Sequence, residues 1–262
     1  MDWEKELYCE DEQPLDRLVD GYSCTSVFRS IAFIGDSLSS GEFETRDADG
    51  KKGFHDIFEY SWGQYIARKN GLIAYNFSKG GMTAEKYVKS FAAEKGFWDK
   101  DKATQAYVIA LGVNDIGTGI EIGTVDDIDL ADWRKNKPTF IGYYGAIISR
   151  YKEISPDAKF FFVTFPKTDR DAERDAIVKT VIERFYELAK LFDNSYVIDL
   201  YQHGPVYDAR FKEKFYLYGH MNPMGYILTA RLIDSYIDYI VRHNSDDFEF
   251  TGLVGTDIKY KF

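Results

Sequence analysis

Cysteine is scarce in this chain of 262 residues: there are two, Cys9 and Cys24. Neither belongs to a CxxC pair or to the spaced Cys and His sets that bind zinc, so the thiols read as buried or idle, with a single bridge between them as the other possibility. Positive charge is also in deficit. Lys and Arg number 33 against 43 Asp and Glu, a formal net charge of −10, and such a surface repels phosphate backbones and anionic lipid rather than collecting them. Nucleic acid is therefore excluded as the expected partner. No run of about 18 apolar residues occurs, which removes a membrane-spanning helix. The amino terminus, MDWEKELYCEDEQPLDRL, is acidic and interrupted by Pro14. It has neither the basic start nor the apolar run of a secretion signal, so a cytoplasmic location is expected. No GxGxxG or P-loop string follows the first apolar run, and a nucleotide- or flavin-binding reading has no support. Internal repeats and low-complexity linkers are absent as well.

Apolar and aromatic residues are plentiful, at 45% and 17% of the chain, enough to bury a sizeable core without metal or disulfides. One domain over residues 1–262 is expected, with 1–28 as an amino-terminal extension and 243–262 as a tail packed on the body. Short apolar runs alternate with longer amphipathic stretches, the pattern of βαβ units. Strands are expected at Ser30–Gly35, Leu72–Phe77, Tyr107–Leu111, Lys159–Phe165 and Tyr196–Leu200. Helices are expected at Tyr60–Lys69, Thr83–Lys95, Phe140–Ile154, Asp169–Phe192 and Asn222–Arg242. Their sum is an α/β fold, a three-layer α/β/α sandwich around a five-stranded parallel sheet whose strands are apolar on both faces. Ligands of such sheets bind beyond the carboxyl ends of the strands.

Chemically capable residues follow three of those strands. Gly35-Asp36-Ser37-Leu38 follows the first, NFSKGGMT with Asn76, Gly80 and Gly81 the second, and GVND with Gly112, Asn114 and Asp115 the third. A fourth element, YGHMNPMGY, sets His220 just before the last helix. Four motifs in this order resemble the SGNH hydrolase superfamily, the GDSL esterases and lipases, from about Ser30 to about Tyr226. The resemblance implies a flavodoxin-like fold and a serine esterase or acylhydrolase without cofactor or metal. Ser37 is then the nucleophile, since a hydroxyl gains nucleophilicity when an adjacent base takes its proton. His220 is that base, and later returns the proton to the leaving group. The oxyanion donors implied are the backbone N–H groups of Ser37 and Gly81 and the side-chain amide of Asn114. Asp36 and Asp115 read as holders of backbone turns.

One position departs from the family pattern. The usual last motif is Asp-x-x-His, and here Leu217 stands three residues before His220. A backbone carbonyl can hold the imidazole tautomer in the absence of a carboxylate, and Glu213, Asp208 and Glu42 are the candidate substitutes by proximity in sequence. The polar segment from Ser39 to Tyr60 is expected to be a loop covering the site, with His55 in a packing role. A second irregular stretch, Gly117–Trp133, carries Asp126, Asp127, Asp129 and Asp132, whose spacing does not fit an EF-hand and which read as solvated acidic surface. The expected substrate is an ester of a small or carbohydrate-linked acyl group, acetyl among them, with lysophospholipid and thioester as alternatives. Because of Leu217, a binding or regulatory protein on the same scaffold is the rival reading.

Overall fold

The computed structural model describes residue 7 and residues 11–260; Cys9 lies outside them. Five strands form one parallel sheet: β1 (Ser30–Gly35), β4 (Ile73–Asn76), β5 (Ala106–Ala110), β6 (Lys159–Val163) and β7 (Ser195–Ile198), in the spatial order β4-β1-β5-β6-β7. Two strands between β1 and β4 in the chain, β2 (Glu42–Arg46) and β3 (Lys52–Asp56), stand apart from this sheet as an antiparallel hairpin. Four longer helices pack on the sheet: α1 (Trp62–Asn70), α2 (Phe140–Ile154), α3 (Ala172–Leu191) and α4 (Pro223–His243).

Alternation along each strand divides the core in two. Ala32 and Ile34 of β1, Tyr107 and Ile109 of β5, and Phe160 and Phe162 of β6 point to one face, where α2 and α3 cover them through Tyr144, Ile147, Tyr151, Val181 and Phe185. The intervening residues Ile31, Phe33, Val108, Phe161 and Val163 point to the other face, under Trp62 and Ile66 of α1 and Tyr226, Ile233 and Ile237 of α4. A strand side chain changes face with each residue, so a strand buried on both sides must be apolar throughout. Burying these side chains contributes on the order of 1.5–3 kcal/mol each. The result is the three-layer α/β/α sandwich around a five-stranded parallel sheet that the sequence led us to expect.

Helix boundaries follow from caps. Ser61, Thr139, Asp171 and Asn222 each accept an N–H of the first turn, and Pro223 occupies the first position of α4, where its missing donor costs nothing. The helix expected over Thr83–Lys95 runs without a break from Ala84 to Glu94, with a π turn at Tyr87–Phe91 between the α turns Ala84–Lys86 and Ala92–Glu94.

The chain leaves β1 for β4 on one side, then crosses back to β5 on the other. The point where direction reverses, between β1 and β5, is where such sheets open a crevice beyond their carboxyl ends. At the opposite end of the sheet, Arg29 and Gln105, just before β1 and β5, donate to the carbonyls of Gly252, Val254 and Thr251. Those bonds fasten the 244–260 segment to the body. Cys24 is a free thiol, pushed up to about 11 by burial and by the nearby Asp238 carboxylate.

Candidate active site

Ser37 opens a single helical turn, Ser37–Ser40, directly beyond β1. Asp36 caps that turn by accepting the Leu38 N–H at 3.1 Å. As the first helical residue, Ser37 has no acceptor for its own N–H within the turn. Beyond β4 the chain reaches Gly80 and Gly81. Gly81 has a left-handed backbone, φ +70°, with open space where a side chain would stand. An L side chain there would strain the backbone by roughly 1–2 kcal/mol, and its absence leaves the N–H approachable.

Asn114 lies on the short helix Val113–Thr118 beyond β5. Its amide donates to the Met82 carbonyl at 3.1 Å and lies 3.4 Å from Asp36 Oδ2. The third segment is thereby tied to the first and second. Asp115 accepts the Ala84 N–H at 2.9 Å. Both aspartates hold turns, as expected of them. Burial pushes Asp36 up to about 7, with the charges of Asp115 and Glu42 adding to it against the Leu38 N–H. Burial likewise pushes Asp115 up to about 6, opposed by its bond from Ala84.

His220 arrives on a small hairpin, β8 (Tyr216–Leu217) and β9 (His220–Met221), joined by Tyr218 and Gly219. The β9 strand packs against the Ser37–Ser40 turn and against β2. The histidine thus comes to the serine's side of the molecule. Its Nε2 faces Glu42 Oε1 at 3.0 Å, and its Nδ1 lies 3.7 Å from Glu44 Oε2. Among the described residues no hydrogen bond joins Ser37 Oγ to His220. The expected pair shares one region without touching through its reactive atoms in this arrangement.

Glu42 and Glu44 come from β2, a strand in what was expected to be a loop. Residues two apart on a strand share a face. The alternation Glu42-Phe43-Glu44 was the available signal for a half-buried strand, and Glu44 was missed because the segment's charge and glycines suggested coil. Burial pushes the Glu42 carboxyl above its ordinary range, although His220 pulls the other way. At Glu44 burial also acts upward, but the Gly219 N–H, Lys52 and Arg46 together hold it below the usual carboxylate range.

The other carboxylates have structural roles. Asp208 caps the helix Ala209–Phe215 through the Phe211 N–H, and Glu213 is exposed on that helix. Leu217 is 41% exposed at the position of the family's aspartate. His55 pairs with Thr45 Oγ1 at 3.0 Å on the exposed side of the hairpin. Asp127 corrects an expectation: it is buried, not solvated, and it binds the Thr124 N–H, Thr139 Oγ1 and Lys137. Among the described residues no group of three or more His, Cys, Asp or Glu side chains is arranged to hold a metal ion, and no helix is long and apolar enough to cross a membrane.

Space and aromatic surface adjoin these groups. Phe54 on β3 meets the His220 ring edge-to-face at 5.7 Å while remaining 53% exposed. Tyr218, also exposed, stacks under the Arg46 guanidinium at 4.8 Å. A mostly apolar cavity of about 70 Å³ lies behind the Ser37 turn, bounded by Leu38, Leu111, Val113, Phe165 and Met221.

Residues 33–228 match the sequence model of the GDSL-like lipase/acylhydrolase family. No curated protein matches the sequence. Solved structures share the fold at low identity. A family two carbohydrate esterase from Clostridium thermocellum, in complex with cellohexaose, superposes with a TM-score of 0.56 at 19% identity, over 90% of this chain and 66% of its own. An acetyl xylan esterase gives a TM-score of 0.51 at 17% identity, over 79% of this chain and 99% of its own. A family 3 carbohydrate esterase, also from Clostridium thermocellum, gives 0.52 at 15%, over 82% and 97%.

Proposed function

The chain belongs to the GDSL-like lipase/acylhydrolase family, and from that premise we propose that it is a serine esterase removing a short acyl group from a carbohydrate-linked or other small ester. One observation carries the reading: segments beyond β1, β4 and β5 and the loop before α4 meet at the sheet's switch point, bound to one another through Asn114 and Glu42. Acyl transfer needs a nucleophile, a base and amide donors in one place, and those segments carry Ser37, His220, Gly81 and Asn114.

The reaction runs as follows. Ser37 Oγ attacks the acyl carbon and its proton passes to a ring nitrogen of His220. That transfer requires the ring to bring its unpartnered Nδ1 to the hydroxyl while Nε2 keeps its proton on Glu42. The Ser37 and Gly81 N–H groups and the Asn114 amide receive the oxyanion. His220 returns the proton to the departing alkoxide, leaving an acyl-enzyme. Water, deprotonated by His220, then attacks the acyl carbon, and the serine recovers its proton as the acid departs.

Exposed Phe54 and Tyr218 beside His220 offer flat apolar faces of the kind that stack on sugar rings. The fold neighbours that are carbohydrate esterases agree with this substrate class. Hydrolysis of 4-nitrophenyl acetate is the test. Ser37→Ala should abolish turnover and labelling by a fluorophosphonate, and equal rates for variant and parent would overturn the esterase reading in favour of a binding protein, the alternative that Leu217 raises.

A further inference from the structure

We propose that Glu42 is the positioning carboxylate of His220, with Glu44 as its second support, so that a clamp on β2 performs the work of the absent Asp-x-x-His aspartate. This rests on the esterase reading above.

Three observations support the clamp. The first is burial without other partners. The Glu42 side chain is 11% exposed, and among the described residues its carboxylate has one recorded partner, the His220 ring at 3.0 Å. A buried carboxylate without a donor is strongly disfavoured, so the site is built around this contact. Glu44, 3% exposed, accepts the Gly219 N–H at 2.9 Å and lies near Arg46 and Lys52.

The second is that the backbone clears room for both carboxylates. A Cβ at Gly80 would stand 2.1 Å from Glu42 Oε2, and one at Gly219 would stand 2.6 Å from Glu44 Oε2. At either position a side chain would force the facing carboxylate to move from where it lies. The Gly80-Gly81 pair thereby divides its labour: Gly80 accommodates the clamp while Gly81 presents its N–H.

The third is registration. Tyr226, in the first turn of α4, donates its hydroxyl to the Glu42 backbone carbonyl at 2.6 Å. The helix following His220 is thus bonded to the strand that faces it. The His220 Nδ1 is buried and has no hydrogen-bond partner at rest. When the ring turns to Ser37, one nitrogen meets the hydroxyl while the other keeps its proton on a carboxylate. The positive charge formed as the ring takes the serine proton is then offset at close range. Besides the ring, the charged groups acting on Glu42 are Glu44, Asp56 and His55, with Asp36 also coupled to it, and Lys52 and Arg46 act on Glu44.

The experiment measures kcat, KM and the pH–rate profile on 4-nitrophenyl acetate for Glu42→Gln, Glu44→Gln, Ser37→Ala and the double variant Glu42→Gln/Leu217→Asp. Leu217 is the cross-strand partner of His220 in the β8–β9 hairpin, so its side chain shares a face with the ring and an aspartate there reaches it. Glu42→Gln should lower kcat by about 10²–10⁴-fold with KM little changed. The acid limb of its profile should move toward lower pH, since the imidazolium loses a neighbouring negative charge. Glu44→Gln should show a smaller loss of the same kind. Leu217→Asp should restore at least part of the lost kcat. Wild-type kcat and profile in Glu42→Gln would overturn the clamp, as would a loss with no movement of the acid limb and no rescue. Full activity in Ser37→Ala would instead sink the esterase reading itself.

Discussion

At the scale of single residues, Asn114 and Gly80 make opposite kinds of demand on the site. On the mechanism proposed, Asn114→Ala should lower kcat by about 10²–10³-fold, the effect of removing one oxyanion donor, and should also lower the melting temperature by a few degrees because the bonds to Met82 and Asp36 are lost with it. Gly80 supplies only room. Gly80→Ala should reduce activity in the same direction as Glu42→Gln, because the new methyl would overlap Glu42 Oε2. Steady-state kinetics beside a thermal melt separates these effects from unfolding, and a fully active Gly80→Ala enzyme would contradict the crowding argument. Ser37, Gly81, Asn114 and His220 were legible as candidates because each belongs to a short motif directly after a strand or before a helix. Glu42 was visible only as one of three nearby acids. Glu44 was not visible at all, since its placement depends on strand pairing, and register is a property of two segments rather than of one.

At the scale of elements, the five sheet strands were readable to within a residue or two because each is a continuous apolar run, and α2 was readable to its ends. The β2–β3 hairpin was not. Its strands carry Glu42, Glu44, Arg46, Lys52 and Asp56, and β3 is largely exposed, so the alternation that marks a strand is carried by charge instead of by apolar side chains. Its stability comes from what lies beneath it: Phe43 packs edge-to-face on Tyr226 at 5.5 Å and on Tyr60 at 5.8 Å. The hairpin's contribution to substrate choice is testable. If Phe54 stacks on a sugar, Phe54→Ala should raise KM several-fold for an acetylated oligosaccharide, in keeping with about 0.5–1.5 kcal/mol for an aromatic contact, while leaving KM for ethyl acetate or a glycerol acetate unmoved. Equal changes for sugar and non-sugar esters would refute stacking.

At the scale of the whole molecule, buried carboxyls govern how stability responds to pH. Asp36 and Asp115 ionise at about 7 and about 6 in the folded chain against an ordinary 3.8. These two carboxyls therefore bind more protons in the folded than in the unfolded state across that interval, and the stability they contribute is full below about 4 and is lost as pH rises through 6 to 7. Melting temperature should fall between pH 4 and 7, and Asp115→Asn, which keeps an oxygen for the Ala84 N–H, should flatten the lower part of that slope. A melting temperature that climbs steadily over the interval would contradict this account. The three-layer architecture was legible from alternation alone, whereas the seating of the carboxy-terminal segment was not, because its bonds to Arg29 and Gln105 join positions more than 140 residues apart. That seating fixes the molecule's polarity: the 244–260 segment grips the pole where β1 and β5 begin, and the candidate site lies at the pole where they finish. A bead, a tether or a fused module attached near residue 260 would consequently hold the molecule by its base, with the candidate site turned outward and unobstructed.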